Sequence, residues 1–368
     1  MAGKFLFKKF SDINLDDAFF DSLKEDYPGT ANSTGFIDWF KKKSDNGATA
    51  LIFEDAIGIS AFVALKSENE EIKMQDSTLP AENRMKVSTL KISERHRGER
   101  YGEGAIGLML WKWQATGFNQ IYVTVFDKQN TLITQLERFG FKKIGYNLNG
   151  EGVYLKDKRN LDFSNPYLSF PFIKSGFDYA GYLIIEDNYH DTMFAYSELA
   201  NNKLDLQNKI GNSVSNGLSK IYVGKAPVQN HKIGEPIFIY RKDTRGGYGT
   251  KYRSCITSYA VVTDVIQAKA KGHYLMSFDD LIKRIGNKSV FNEQELQRQY
   301  SEYYSVSIVE LLYYGYFGAG NNVNMDWLQN NDCWVTTEQY PTEIHLSEIQ
   351  TKKILMEGHV NVSNVIVN

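Results

Sequence analysis

The residues best suited to chemistry lie in one short stretch, Glu94-Arg95-His96-Arg97-Gly98-Glu99-Arg100-Tyr101-Gly102-Glu103-Gly104-Ala105. Glycines let a backbone come close to a ligand, and arginines answer anions with a rigid fork of donors. The first N–H groups of a following helix are donors without an intrahelical acceptor, at the positive end of the dipole. A turn of this composition between a strand and a helix suits a phosphorylated ligand. Residues 85–92 read as the strand, and the apolar run 105–115 reads as the helix.

The rest of the first half supplies the frame. Residues 5–10 read as a strand, 16–25 and 35–43 as helices, and 48–54 and 58–66 as strands around a turn. Residues 67–84 are polar and read as a connection. Past the glycine turn, residues 120–126 read as a buried strand. Residues 131–139 form a short helix closed by Gly140, and 141–146 and 153–156 complete the unit. The order β-α-α-β-β-β-α-β-α-β is a mixed α/β arrangement, with one crossover whose turn can hold a ligand. A polar run, 157–165, ends at Pro166 and marks a boundary.

The second half is β-rich at 221–223, 236–240 and 255–265, with helices at 277–285, 292–303 and 347–356. A small β-barrel with packed helices is expected there. From Arg241 to Arg253, five basic residues (Arg241, Lys242, Arg245, Lys251, Arg253) meet one acid, Asp243, with Tyr240, Tyr248 and Tyr252 interleaved. That pattern is either a nucleic-acid contact, with cations on phosphates and tyrosines on bases, or a solvated hairpin loop. His190 beside Asp191 reads as structural, since adjacent side chains rarely face each other productively.

A net charge of −2 on 368 residues gives no global field toward nucleic acid or membrane, so any basic patch is local. Two cysteines, Cys255 and Cys333, make no disulfide framework, and a reducing, cytoplasmic setting is expected. No signal peptide or membrane-spanning run is read. His96, His190, His231, His273, His345 and His359 are scattered without metal-binding spacing, so no metal is expected.

Residues 1–156 resemble the GNAT N-acetyltransferase superfamily. Arg97-Gly98-Glu99-Arg100-Tyr101-Gly102 occupies the Q/R-x-x-G-x-G/A signature, with Arg100 where its first glycine usually stands. Asn130 then opens a helix, and Arg138-Phe139-Gly140-Phe141 resembles the family's closing Gly-Phe turn. The resemblance implies acetyl-CoA as co-substrate. Backbone amides of Arg97, Gly98, Glu99, Arg100, Tyr101 and Gly102 would grip its diphosphate. Lys91 and Ile92 would pair with the pantetheine arm, and Asn130 would bond the arm's far side. The tyrosine that many members use as proton donor falls on Leu136, which has no proton to give. Either the thiolate leaves unassisted or another group serves, with Tyr146, Tyr154 and His96 the nearby candidates, although the tyrosines also read as sheet packing and His96 as a solvated loop residue.

Residues 205–368 are weakly similar to PUA-like domains of the ASCH and EVE type, with 157–204 as a linker or extension. Lys220-Ile221-Tyr222-Val223, the 233–241 segment and 260–265 carry that similarity, which implies binding of RNA or modified nucleotides. Arg241, Arg245, Tyr248, Lys251, Tyr252 and Arg253 are then the RNA-binding candidates. The leading expectation is an acetyl-CoA-dependent N-acetyltransferase acting on an amine, such as one on a tRNA, aminoacyl-tRNA or nucleobase. A toxin-type role with an antitoxin, or a homodimer, would fit that layout. Acetylation of a protein or small amine, and a non-catalytic CoA- and RNA-binding protein, are the alternatives.

Overall fold

The computed structural model describes residues 4–30, 34–55, 57–96, 98–197, 199, 213–226, 230–334 and 343–368. The chain divides into two compact units, Met1–Glu137 with Phe141–Asn160, and Arg138–Gly140 with Leu161–Asn368.

In the first unit β1 (Lys4–Lys9), β2 (Thr49–Glu54), β3 (Ile59–Lys73), β4 (Thr78–Ile92), β5 (Gln120–Val125), β6 (Lys142–Tyr146) and β7 (Gly152–Asp157) form one sheet in the order β1-β2-β3-β4-β5-β7-β6. β4 and β5 run parallel and the other neighbours antiparallel, the mixed sheet that was expected. The helices are α1 (Asp21–Asp26), α2 (Phe36–Asp45), α3 (Tyr101–Thr116) and α4 (Asn130–Arg138). Phe36 and Phe40 of α2 lie one turn apart, hence on one face, and that face joins Phe10, Phe20 and Phe62 in a single aromatic cluster. Edge-to-face contacts such as Phe20 on Phe62, 5.2 Å between centroids, fix its geometry. α3 is apolar nearly all round; Ile106, Met109, Leu110 and Trp113 are all buried. Gly117 closes it in the left-handed conformation at φ 72°.

The polar stretch 67–84 departs from expectation. It continues β3 and opens β4, two 15-residue strands paired from Ala61↔Ile92 out to Lys73↔Thr78. Its polar composition misled because the arm buries few side chains: Glu68, Ile72, Met74 and Arg84. Ile72 and Met74 pack with Tyr122 and Val153. Arg84 is satisfied by Gln120 Oε1 at 3.0 Å and by the carbonyls of Glu70 and Pro80, each at 2.7 Å.

In the second unit β9 (Gly181–Glu186), β10 (Ser219–Gly224), β11 (Pro236–Lys242), β12 (Cys255–Ala270) and β14 (Val306–Tyr316) follow the order β10-β14-β12-β11-β9. Short β13 (His273–Tyr274) pairs with β12, and β8 (Ile173–Lys174) pairs with the C-terminal Ile366–Val367. Register shifts at three places along β12 and β14 bend this ladder, so the sheet curls as a half-barrel. The extension expected over 157–204 supplies β9, which joins β11 in parallel. The helices Phe278–Ile285 and Glu293–Glu302 begin at the caps Ser277 and Asn292 and pack Leu281, Ile285, Leu296 and Tyr300 on the sheet.

Candidate functional site

The parallel pair at the centre of the first sheet is incomplete. β5 is matched to β4 only from Arg84↔Gln120 to Val87↔Val123, although β4 runs on to Ile92. The cause lies on the other side of β4. Its ladder to β3 skips Ser88, passing from Ala64↔Thr89 to Leu65↔Val87. An extra residue of this kind bends a strand and increases its twist. β4 therefore parts from β5 at Val87, and among the described residues no strand pairs with β4 on that side beyond it. The free edge includes Lys91 and Ile92 and leads straight into the glycine turn.

Gly98 takes φ 89°, a conformation that suits glycine. Arg100 takes φ 66° as the residue before α3, which accounts for the glycine that the signature places there. Arg97 lies outside the described residues. The Arg100 guanidinium is turned inward, 2.9 Å from Glu103 Oε2, with both side chains under a tenth exposed. It thereby neutralises the one acid in the first turn of α3, which would otherwise oppose an anion there. Tyr101 is buried against Phe53, 4.4 Å between centroids, so it offers the site only its backbone. Gly102 is different: a side chain there would meet nothing within 4 Å. Asn130 is exposed at the first position of α4.

His96 is held as a structural residue. Its Nδ1 lies 2.7 Å from Glu99 Oε2, and its Nε2 lies 2.8 Å from Asp55 Oδ2 and 3.0 Å from Ser60 Oγ. Arg95 reaches Asp55 and Ser60 as well. This knot ties the β2–β3 turn to the glycine turn and engages both ring nitrogens, which argues against His96 as proton donor. Burial alone would raise the Asp55 pKa. Bonds from the Ile57 N–H, His96 and Ser60, with the Arg95 charge, overcome that and bring it to about 2. A depressed carboxylate contributes stability above its unfolded pKa and loses it as pH falls through the folded value. Asp55→Asn is thus expected to melt lower than wild type by a gap that is constant from pH 7 to about pH 4 and narrows below it. Melting curves of both proteins at stepped pH test this; a gap that keeps its size toward pH 2 contradicts it.

Neither tyrosine candidate stands on a strand that borders the parting. Tyr154 of β7 is buried opposite Val123, one strand away, and burial raises its pKa. Tyr146 of β6 donates to Asp127 Oδ2 at 2.7 Å, beneath the Lys143 ammonium at 3.8 Å from its ring. Leu136 is fully buried. Lys91 turns its ammonium to the Phe19 carbonyl and to Ser22 Oγ, the latter at 2.6 Å. That contact reveals a feature the sequence did not signal. Residues 19–27 run from β4 at Lys91 to the far side of the parting. There Tyr27 donates to Glu151 Oε1 at 3.0 Å and its ring lies 6.0 Å from Phe126, while Asp26 pairs with Lys128 at 2.7 Å. Glu151 is nearly buried, with Asn147 Nδ2 donating to its other oxygen at 2.8 Å. Contacts so distant in sequence leave no spacing to read.

In the second unit the basic–aromatic loop is sorted by burial. Arg241 is buried and grips Asp191 with two bonds, 2.8 and 2.9 Å, while His190 spans Asp191 and Thr257. It is therefore a core residue and unsuited to touch RNA. Arg253 binds Asp243 and the carbonyls of Tyr248 and Gly246, which staples the loop. Arg245 pairs with the other Asp243 oxygen at 2.6 Å yet stays 67% exposed, and Lys251 pairs with Asp326 at 2.6 Å. Tyr248 is 102% exposed and Tyr252 53%.

No family model matches the sequence, and no curated protein matches it. Solved structures to which it is similar include two kinds. A variant of the ASCH protein of Zymomonas mobilis is 13% identical, with 48% of this chain and 93% of that one covered, at a TM-score of 0.30. An N-acetyltransferase from Staphylococcus aureus Mu50 is 14% identical over 43% of this chain and 99% of its own, at 0.31. A variant of the AtaT toxin, bound to the C-terminus of the antitoxin AtaR, is 9% identical over 43% and 94%, at 0.30. These are the two kinds named from the motifs. Among the described residues no helix is long and apolar enough to cross a membrane, and no group of three metal-ligating side chains occurs. Cys255 and Cys333 are free and buried.

Proposed function

We propose that the first unit is an acetyl-CoA-dependent N-acetyltransferase. One observation carries this reading: the edge that β4 frees at Val87 leads directly to the open first turn of α3. An extended arm along that edge and a diphosphate on that turn belong to one ligand, and coenzyme A has both. The open space at Gly102 and the left-handed Gly98 fit such a ligand. Acetyl-CoA supplies an activated acyl group: the amine nitrogen bonds the carbonyl carbon as the C–S bond breaks, and the amine's proton ends on the sulfur. The chain's part is positional. The Gly98–Gly102 backbone holds the diphosphate, Lys91 and Ile92 align the arm, and Asn130 meets its far side. Of the proton-donor candidates, His96 and Tyr146 are bonded elsewhere, and Tyr154 is the one carried forward. Calorimetric titration of acetyl-CoA, followed by an assay of free thiol with added amines, tests the reading. Binding with amine-dependent thiol release is expected; absence of binding refutes it, and binding without release favours the non-catalytic alternative.

A second reading concerns the loop 243–253, and Tyr248 favours it. A tyrosine wholly exposed on a loop stapled by Arg253 and a buried Asp243 is a rigid platform for an unpaired base, with Arg245 and Lys251 at hand for phosphates. Such a platform would present an RNA-linked amine. Stacking contributes about 1–3 kcal/mol per base, so Tyr248→Ala should weaken binding of a labelled single-stranded RNA by roughly 5- to 150-fold. Arg245→Ala with Lys251→Ala should weaken it further and flatten its salt dependence. An RNA that fails to bind at low salt, or that ignores all three changes, removes this reading.

A further inference from the structure

The face of the first sheet that carries α2 holds a group of lysines the turn does not explain. Side chains alternate along β3, so Phe62, Ala64, Lys66 and Glu68 share one face. Register carries that face to Lys91, Thr89, Lys86 and Arg84 on β4, the skipped Ser88 correcting the phase, and on to Tyr122 of β5. α2 covers it, with Phe40 stacked on Phe62 at 6.4 Å. Lys43 follows Phe40 by three residues on the same helical stripe, so it too faces the sheet. Its half-buried ammonium is easier to deprotonate than usual, first through burial and then through the charges of Lys66, Lys42 and Lys86. Lys66 is engaged by Glu70 at 2.9 Å and Glu68 at 3.1 Å, and Glu68 also accepts the Tyr122 hydroxyl. Lys86 lies over the Tyr122 ring, 5.5 Å from its centre. Arg84 is buried among carbonyls. In this cluster Lys42, Lys43, Lys66, Lys86 and Arg84 gather around Glu68 and Glu70, while Glu82, opposite Glu70 in the register, is engaged by Arg159 and Asn119.

Like charges drawn together at a half-buried surface are unfavourable unless an anion completes them. Their place is telling. Lys86 immediately precedes Val87, the last residue of β4 paired with β5, so the cations flank the apex of the parting. An arm laid along the free edge from the glycine turn would bring its acyl end to that apex.

We propose that the acceptor amine is carried on a phosphate-bearing molecule, and that Lys43 and Lys86 seat its phosphate beside the apex of the β4–β5 parting. This rests on the transferase reading above and adds the charge class of the acceptor. The test uses two probes with one primary amine at the 5′ end of a trithymidylate: one with a phosphodiester backbone, the other with uncharged methylphosphonates. The wild-type protein should bind the phosphodiester amine at least about tenfold more tightly, with affinity falling as salt rises. Lys43→Glu with Lys86→Glu should abolish that preference and leave the melting temperature and acetyl-CoA affinity unchanged. Equal affinity for the two probes, or a preference that survives the double substitution, overturns the proposal while acetyl-CoA binding stands. A wild-type protein that binds no acetyl-CoA overturns the transferase reading, and this proposal with it.

Discussion

Gly102→Trp should reduce acetyl-CoA affinity by about 100-fold or more without lowering the melting temperature. Glycine inside a helix costs up to about 1 kcal/mol relative to alanine, so a glycine in the first turn of a 16-residue helix needs a reason. Left-handed backbone supplies that reason at Gly98, with φ 89°, but not at Gly102, which is an ordinary member of α3. Close packing supplies it at Gly145, where a Cβ would lie 2.9 Å from Met74 Sδ, yet a Cβ at Gly102 meets nothing within 4 Å. Neither backbone conformation nor close packing asks for glycine there, whereas a diphosphate on the amides of that turn would. An indole would occupy the space such a ligand would need, starting from a Cβ that meets nothing within 4 Å. Gly102→Ala serves as the companion, expected to raise stability by about 0.5–1 kcal/mol. Calorimetry with acetyl-CoA and a thermal melt of all three proteins decide the matter. Unchanged affinity in the tryptophan variant would remove the ligand from this turn, and a large drop in melting temperature would show that the fold itself uses the glycine.

What could be read in the sequence was what is local. The glycine turn, α3, buried β5 and the helices that begin at Ser277 and Ser347 each declare themselves within a few residues. The parting of β4 from β5 does not. It arises from one skipped residue, Ser88, whose type is unremarkable and whose effect exists only relative to β3. The 67–84 arm was misread for a related reason, since a hairpin with few buried side chains lacks the alternation that marks a strand. β14 was passed over although it is the buried strand between β10 and β12, because a run such as Val306–Tyr316 has no polar face to set its period. In the candidate site, composition picked out the glycine turn but not how its cations are used. Arg100 and Arg241 both looked like anion contacts, and each is drawn to a carboxylate: Glu103, one helical turn on, and Asp191, which only the fold brings near. Charge in a sequence records an inventory, whereas burial decides which charges are available.

Lys156 carries that lesson into a measurable quantity. It stands near the end of β7, where a long cationic side chain usually reaches solvent. Instead it is 2% exposed, opposite fully buried Ile121, and burial brings its pKa down to about 7. The unfolded chain keeps the proton to about pH 10.4, so between these limits it binds more protons than the folded protein. Wild-type stability should therefore rise as pH climbs from about 7 toward 10, the reverse of a favourable ion pair. Lys156→Met keeps the length and apolar stem without the charge. It should be more stable than wild type near pH 7, by an amount on the order of a few kcal/mol, and that advantage should shrink as pH rises. Urea denaturation of both proteins at pH 6.5, 8 and 9.5 gives the gap directly. A gap that stays constant over this range would mean that the ammonium is accommodated in the folded protein, and the buried charge would then be no burden on the strand that braces β5.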